Sequence, residues 1–204
     1  MLQSVRAPTG VYTMIRLLPH IKSHFESLDS HLSCFHDLEV QVEGWFKGEL
    51  LFLLARLKRE GLLQDFKREI KIDHGRVDLS ITIEDAPHWV ELKHWLCGVQ
   101  RGVRLNPIFY FGDRTSVGIL PDVNKLLLLH RRGQKWILIL ATKNPGVHDW
   151  NKGLETFHRK FRNRHLWSQS EPNDFSPTYF LGLLKIAKGS AVDDPNFKKK
   201  IVKS

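Results

Sequence analysis

Cysteine is nearly absent: Cys34 and Cys97 are the two in 204 residues, and no Cys-x-x-Cys spacing links them. That argues against a structural zinc site or a disulfide framework and suits a reducing compartment. Long apolar runs are missing too. Runs such as residues 50–55 and 126–129 fall far short of the ~20 residues that a membrane-spanning helix needs. The amino terminus lacks a basic-then-apolar design, so no secretion signal is expected. The expectation is a soluble, intracellular protein of the cytoplasm, nucleoid or nucleus, with no membrane partner. Acids are also scarce: 22 Asp and Glu stand against 31 Lys and Arg, for a formal charge of +9. Such an excess aids solubility, and it also suits a polyanionic partner, nucleic acid first. No repeat or low-complexity segment appears. With 42% hydrophobic residues, the chain can bury a core of its own as one elaborated domain.

Alternation is the strongest pattern present. Over residues 76–83, Val77, Leu79, Ile81 and Ile83 fall on one side and Arg76, Asp78, Ser80 and Thr82 on the other, which predicts a half-buried strand. After a turn-rich Glu84, Asp85, Ala86 and Pro87 comes a second strand. There Val90 and Leu92 share one face, and Trp89, Glu91, Lys93 and Trp95 the opposite one. A four-residue loop would set Ile83 against His88. Asp78 would then face Lys93 and lie diagonal to Glu91, within roughly 5–8 Å. Two carboxylates converging beside a lysine suit a hard divalent cation, Mg²⁺ or Mn²⁺. Such an ion can acidify a bound water, which Lys93 would orient or deprotonate. The plain alternative is a solvated strand face with a weak cross-strand ion pair.

Asp78 in GRVDLSI, followed thirteen positions on by Glu91-Leu92-Lys93 in WVELKHW, resembles the PD-(D/E)XK, or restriction-endonuclease-like, nuclease superfamily. Val77 stands where that motif has proline. The resemblance implies an α/β fold with an α-β-β-β-α-β core, a central mixed sheet flanked by helices. It also implies a magnesium-dependent deoxyribonuclease, an endonuclease, with DNA as partner ahead of RNA. Asp78, Glu91 and the Leu92 carbonyl would bind Mg²⁺ or Mn²⁺, and Lys93 would be the catalytic lysine. The superfamily's first helix brings a glutamate to the metal. Glu49 in GELLFLLARLKREGL is the choice, directly or through water, with Glu43 as rival. A homodimer, or a subunit of a larger DNA-processing complex, is a further expectation. The competing class is a noncatalytic nucleic-acid-binding subunit with a nuclease-like fold.

Taken in order, residues 1–39 read as an arm and an accessory helix, residues 40–145 as the nuclease-like core, residues 146–190 as a basic helix and strand, and residues 191–204 as a basic, disordered tail. In the first part Ile21, Phe25, Leu28, Leu32 and Phe35 predict one amphipathic helix with Pro19 in its first turn. His20 and His24 are expected to face solvent. The core begins with a helix over residues 40–60, stopped by Gly61, in which Gly44 and Gly48 would admit a close backbone. A strand at 66–72 precedes the hairpin. Residues 96–118 read as loop, a helix is expected at 122–130 and a buried strand at 135–141. The third part is a basic helix over 149–169 and a strand over 178–186. Arg101 and Arg104 in the loop, with Lys152, Arg159, Lys160, Arg162 and Arg164 on the basic helix, would contact phosphates. Trp150 and Trp167 could stack on bases, but at helix ends they suit packing better.

Overall fold

The computed structural model describes residues 14–73, 75–97, 99–100, 103–106, 110–111, 118–160, 167–170, 174–175 and 179–186. A 3₁₀ turn, Met14–Leu17, leads into helices α1 (Leu18–Glu26), α2 (Asp29–Asp37) and α3 (Glu43–Arg59). Strands β1 (Asp65–Ile72), β2 (Gly75–Ile83) and β3 (Ala86–His94) follow, then the two-residue strands β4 (Val99–Gln100) and β5 (Val103–Arg104). Helix α4 (Leu120–Leu128), strand β6 (Gln134–Ala141) and helix α5 (Gly146–Lys160) come next. The short strands β7 (Trp167–Ser170) and β8 (Asp174–Phe175) precede β9 (Phe180–Ile186).

Five long strands form one mixed sheet in the order β1-β2-β3-β6-β9, with β7 and β8 both pairing with β9. Only β3 and β6 run parallel, because the chain between them crosses over through α4, as a parallel pair requires. The arrangement is α/β in three layers. One core joins α1, α2 and α3 to Leu79, Ile81, Val90, Leu92, Trp136, Leu138 and Leu183. The other joins α4 and α5 to Trp89, Trp95, Ile137, Ile139 and Leu184. Central β6 is buried along almost its whole length, as a strand covered on both faces must be.

The expected first helix is two, parted at Ser27 and Leu28. Its periodicity survives the break, since Phe25 and Leu32 both lie in the first core. Glycine stops α3 as anticipated: Gly61 takes φ +75°, where a side chain would be strained. Gly44 and Gly48 face open space, and no backbone approaches them. Residues 167–169, expected at the end of the basic helix, belong to β7. Residues 187–204, including the basic tail, lie outside the described residues. Trp150 is a packing residue, 2% exposed and set against Trp95, Phe111 and Phe180.

His88, buried in β3, accepts a hydrogen bond at Nδ1 from the Trp136 indole, 3.1 Å away. Burial, with Lys185 nearby, lowers its pKa from 6.5 to about 4. The unfolded chain therefore takes up a proton before the folded one does. The stability His88 contributes is complete above pH 6.5 and declines as pH falls toward about 4, by roughly 3 kcal/mol at most. Urea unfolding at pH 7.5 and pH 4.5 checks this. His88→Asn should lose less stability on acidification than wild type, and an equal loss would refute the assignment.

Candidate active site

The hairpin turn is tighter than the sequence suggested. Ile83 pairs with Ala86, leaving Glu84 and Asp85 as a two-residue turn, both with positive φ (47° and 61°). A type I′ turn needs that conformation, and its twist matches the strands it joins. The register is therefore displaced by two residues from the four-residue loop expected above. Asp78 stands level with Glu91 rather than Lys93, while the alternation from Leu79 to Ile83 is kept, because the period of a strand is two.

The β2–β3 ladder does not extend to that level. It runs from Ile83 and Ala86 to Leu79 and Val90 and stops. Past this point Asp78 Oδ2 accepts the Leu92 N–H at 2.9 Å, replacing a rung of the ladder with a side chain. The β1–β2 ladder skips the same level, pairing Arg68 with Leu79 and Ile70 with Val77, and Glu69 between them has φ +51°. The ribbon changes face there. Leu79, Ile81 and Ile83 belong to the core under α3, whereas Val77 joins the core under α4. The single alternating stripe expected from Val77 to Ile83 is thus broken at Asp78.

Around this break the structure gathers more charge than the motif alone. Lys47 of α3 lies 2.6 Å from Asp78 Oδ1 and also pairs with Glu69. Lys125 of α4 reaches Glu91 Oε2 at 2.8 Å and Asp122 Oδ1 at 3.3 Å. Lys93 lies 2.9 Å from Asp122 Oδ2, an ion-pair contact without hydrogen-bond geometry at that oxygen. Glu91 is 1% exposed, so the solvated-face alternative fails: this is a buried ionic cluster.

The carboxylates differ in character. Burial works against ionisation of Asp78, but the Leu92 N–H and Lys47 outweigh it and hold its pKa below the ordinary value. Burial pushes Glu91 up to about 9 against the pull of Lys125, and the neighbouring Asp122 and Asp78 add to the rise. Its Oε1 is buried without a hydrogen-bond partner. Burial likewise opposes the charge on Lys93, and Asp122 overcomes it, raising the pKa.

No protein-family model, curated protein or solved structure matches this chain.

Of the expected site residues, Asp78 and Glu91 come side by side, and Lys93 joins them through Asp122. Glu49 goes elsewhere: its Oε2 is 3.1 Å from His24 Nε2, because its edge of α3 faces α1. His24 is correspondingly buried rather than solvent-facing. Glu43, the rival, is close enough to act on Lys93. Lys152 and Arg159 are exposed on α5. Arg101, Arg162 and Arg164 lie outside the described residues, as do the side chains of Arg104 and Lys160. Sequence reasoning missed Lys47, Asp122 and Lys125. The last two had a signal, since Asp122 and Lys125 interrupt at i and i+3 a helix that is otherwise strongly apolar on one side.

Among the described residues, no three His, Cys, Asp or Glu side chains form a group able to hold a metal ion. A cation held here would have the pair Asp78 and Glu91 as hard oxygen ligands. Glu91 Oε1, buried without a hydrogen-bond partner among the described residues, would suit such an ion.

Proposed function

We propose that this protein is a metal-dependent nuclease of the restriction-endonuclease-like kind, hydrolysing phosphodiester bonds in DNA. The juxtaposition of Asp78 and Glu91 where β2 and β3 part carries the proposal. Support also comes from the order α3-β1-β2-β3-α4-β6 with β3 and β6 parallel, and from Lys93 on the same side of β3 as Glu91. In this reading Asp78 and Glu91, with the Leu92 carbonyl, hold Mg²⁺ or Mn²⁺. Bound there, such an ion would acidify a water and offset charge on the phosphate. Asp78, already ionised, is the ready ligand, and Glu91 becomes one on losing its proton. Lys93, anchored by Asp122, orients the attacking water or stabilises the charge that develops on the phosphate.

One observation favours the noncatalytic alternative. Lys47, Lys93 and Lys125 already pair with the four acids they touch, Glu69, Asp78, Glu91 and Asp122, and such a cluster holds together without a cation. Turnover separates the two. Mixed plasmid, linear and branched DNA should be cut with Mg²⁺ or Mn²⁺ by wild type and not by Asp78→Ala. No cutting by either protein, with DNA binding retained by both, would leave the binding subunit as the reading.

A further inference from the structure

The nuclease reading needs a surface that holds the substrate backbone, and the basic helix α5 does not supply one among the described residues. Its exposed Lys152 and Arg159 are interleaved with Asp149 and Glu155, and the side chain of its third cation, Lys160, lies outside the described residues.

A stronger concentration lies at the far end of the β1–β2 ribbon. Lys71 and Arg76 face each other across that ladder, and both are exposed. Beside them, in the turn between α4 and β6, Arg131 and Arg132 are exposed as well. Arg131 is held in place: its guanidinium sits over the Trp89 ring, 5.4 Å from the centroid, and donates to the Lys71 carbonyl oxygen at 3.3 Å. The Trp89 indole donates in turn to the Arg132 carbonyl oxygen at 2.9 Å. The turn and the ribbon are thereby fastened together. Within residues 70–77 and 129–133 the sole acid is Asp73, and none of the four cations forms a salt bridge among the described residues.

This surface is adjacent to the acids. Trp89 precedes Glu91 by two residues on the same face of β3, a separation of about 7 Å, and Arg76 precedes Asp78 by two. On one strand of a duplex, phosphates recur at about 3.4 Å of axis, so the four cations lie within a few phosphates of the acids.

We infer that Lys71, Arg76, Arg131 and Arg132 form a clamp for the phosphate backbone of DNA, placed to lead a strand past Asp78 and Glu91. The inference rests on the proposed nuclease activity in naming DNA as the occupant. The clamp itself needs only phosphates, a pre-set guanidinium and cations not already paired.

Binding of the full chain to a duplex in EDTA, titrated with salt, tests the clamp without any cleavage. The variant Arg76→Gln with Arg132→Gln removes two exposed charges and leaves the Arg131 stack in place. Its slope of log K against log salt should fall by about 1.8, at about 0.9 per phosphate contact, with binding weaker by about tenfold at moderate salt. Arg56→Gln with Arg59→Gln, removing two charges from the opposite end of α3, should leave the slope unchanged. Equal slopes for wild type and the first variant, equal losses in both variants, or no binding by wild type would overturn the clamp. The nuclease reading falls on a different result, the absence of Asp78-dependent cleavage. A protein can therefore lose either proposal and keep the other.

Discussion

Lys93→Met is expected to lower DNA cleavage by about a thousandfold while leaving DNA affinity in EDTA within about twofold of wild type. Methionine keeps much of the volume of the lysine stem and removes only the ammonium, which lies 2.9 Å from Asp122. The size of the effect follows from the chemistry: a preorganised cation beside a developing charge is worth about 4 kcal/mol in the transition state. A phosphate contact at the surface would be lost in binding instead. Single-turnover cleavage together with an equilibrium titration separates the two. Normal turnover by Lys93→Met would sink its assignment as the catalytic lysine, and a matching loss of affinity would make it a binding residue.

The second large effect concerns folding. Asp122→Ala should destabilise the protein by about 3 kcal/mol, because breaking a buried ion pair leaves a charge in a poor solvent with nothing to balance it. Asp122 is in contact with both Lys93 and Lys125, and its side chain is 11% exposed. Without it Lys93 loses its contacting acid, whereas Lys125 keeps Glu91. Urea unfolding near neutral pH gives the number. A loss below about 1 kcal/mol is what a solvated surface pair would give, and it would contradict the buried cluster described above.

Much of this architecture was legible in the sequence, and the parts that were not share a cause. Strands β6 and β9 were readable because burial on both faces enforces a contiguous apolar run. Gly61 was readable because few other residues accept its backbone conformation. Asp78, Glu91 and Lys93 could be named because a two-residue period puts them on defined faces. The register across the hairpin could not, since it depended on whether Glu84 and Asp85 would take positive φ, which neither residue announces as glycine or asparagine would. The choice of Glu49 failed for a related reason. Both edges of an amphipathic stripe look alike in one dimension, and what decided between Glu49 and Glu43 was that α1 packs beside one of them. Lys47, Asp122 and Lys125 belong to helices that reach the site only through tertiary packing, so no local pattern joined them to the motif.

The side-chain rung at Asp78 gives the site a built-in reporter. The Leu92 amide has exchanged a main-chain partner for the Asp78 carboxylate, so its hydrogen can reach solvent deuterium only when that carboxylate lets go. Slow exchange at this one amide therefore records an assembled site, whether or not any substrate is present. Selective acceleration there, with its neighbours in β3 still protected, would be the signature of a site that has come apart inside an intact fold.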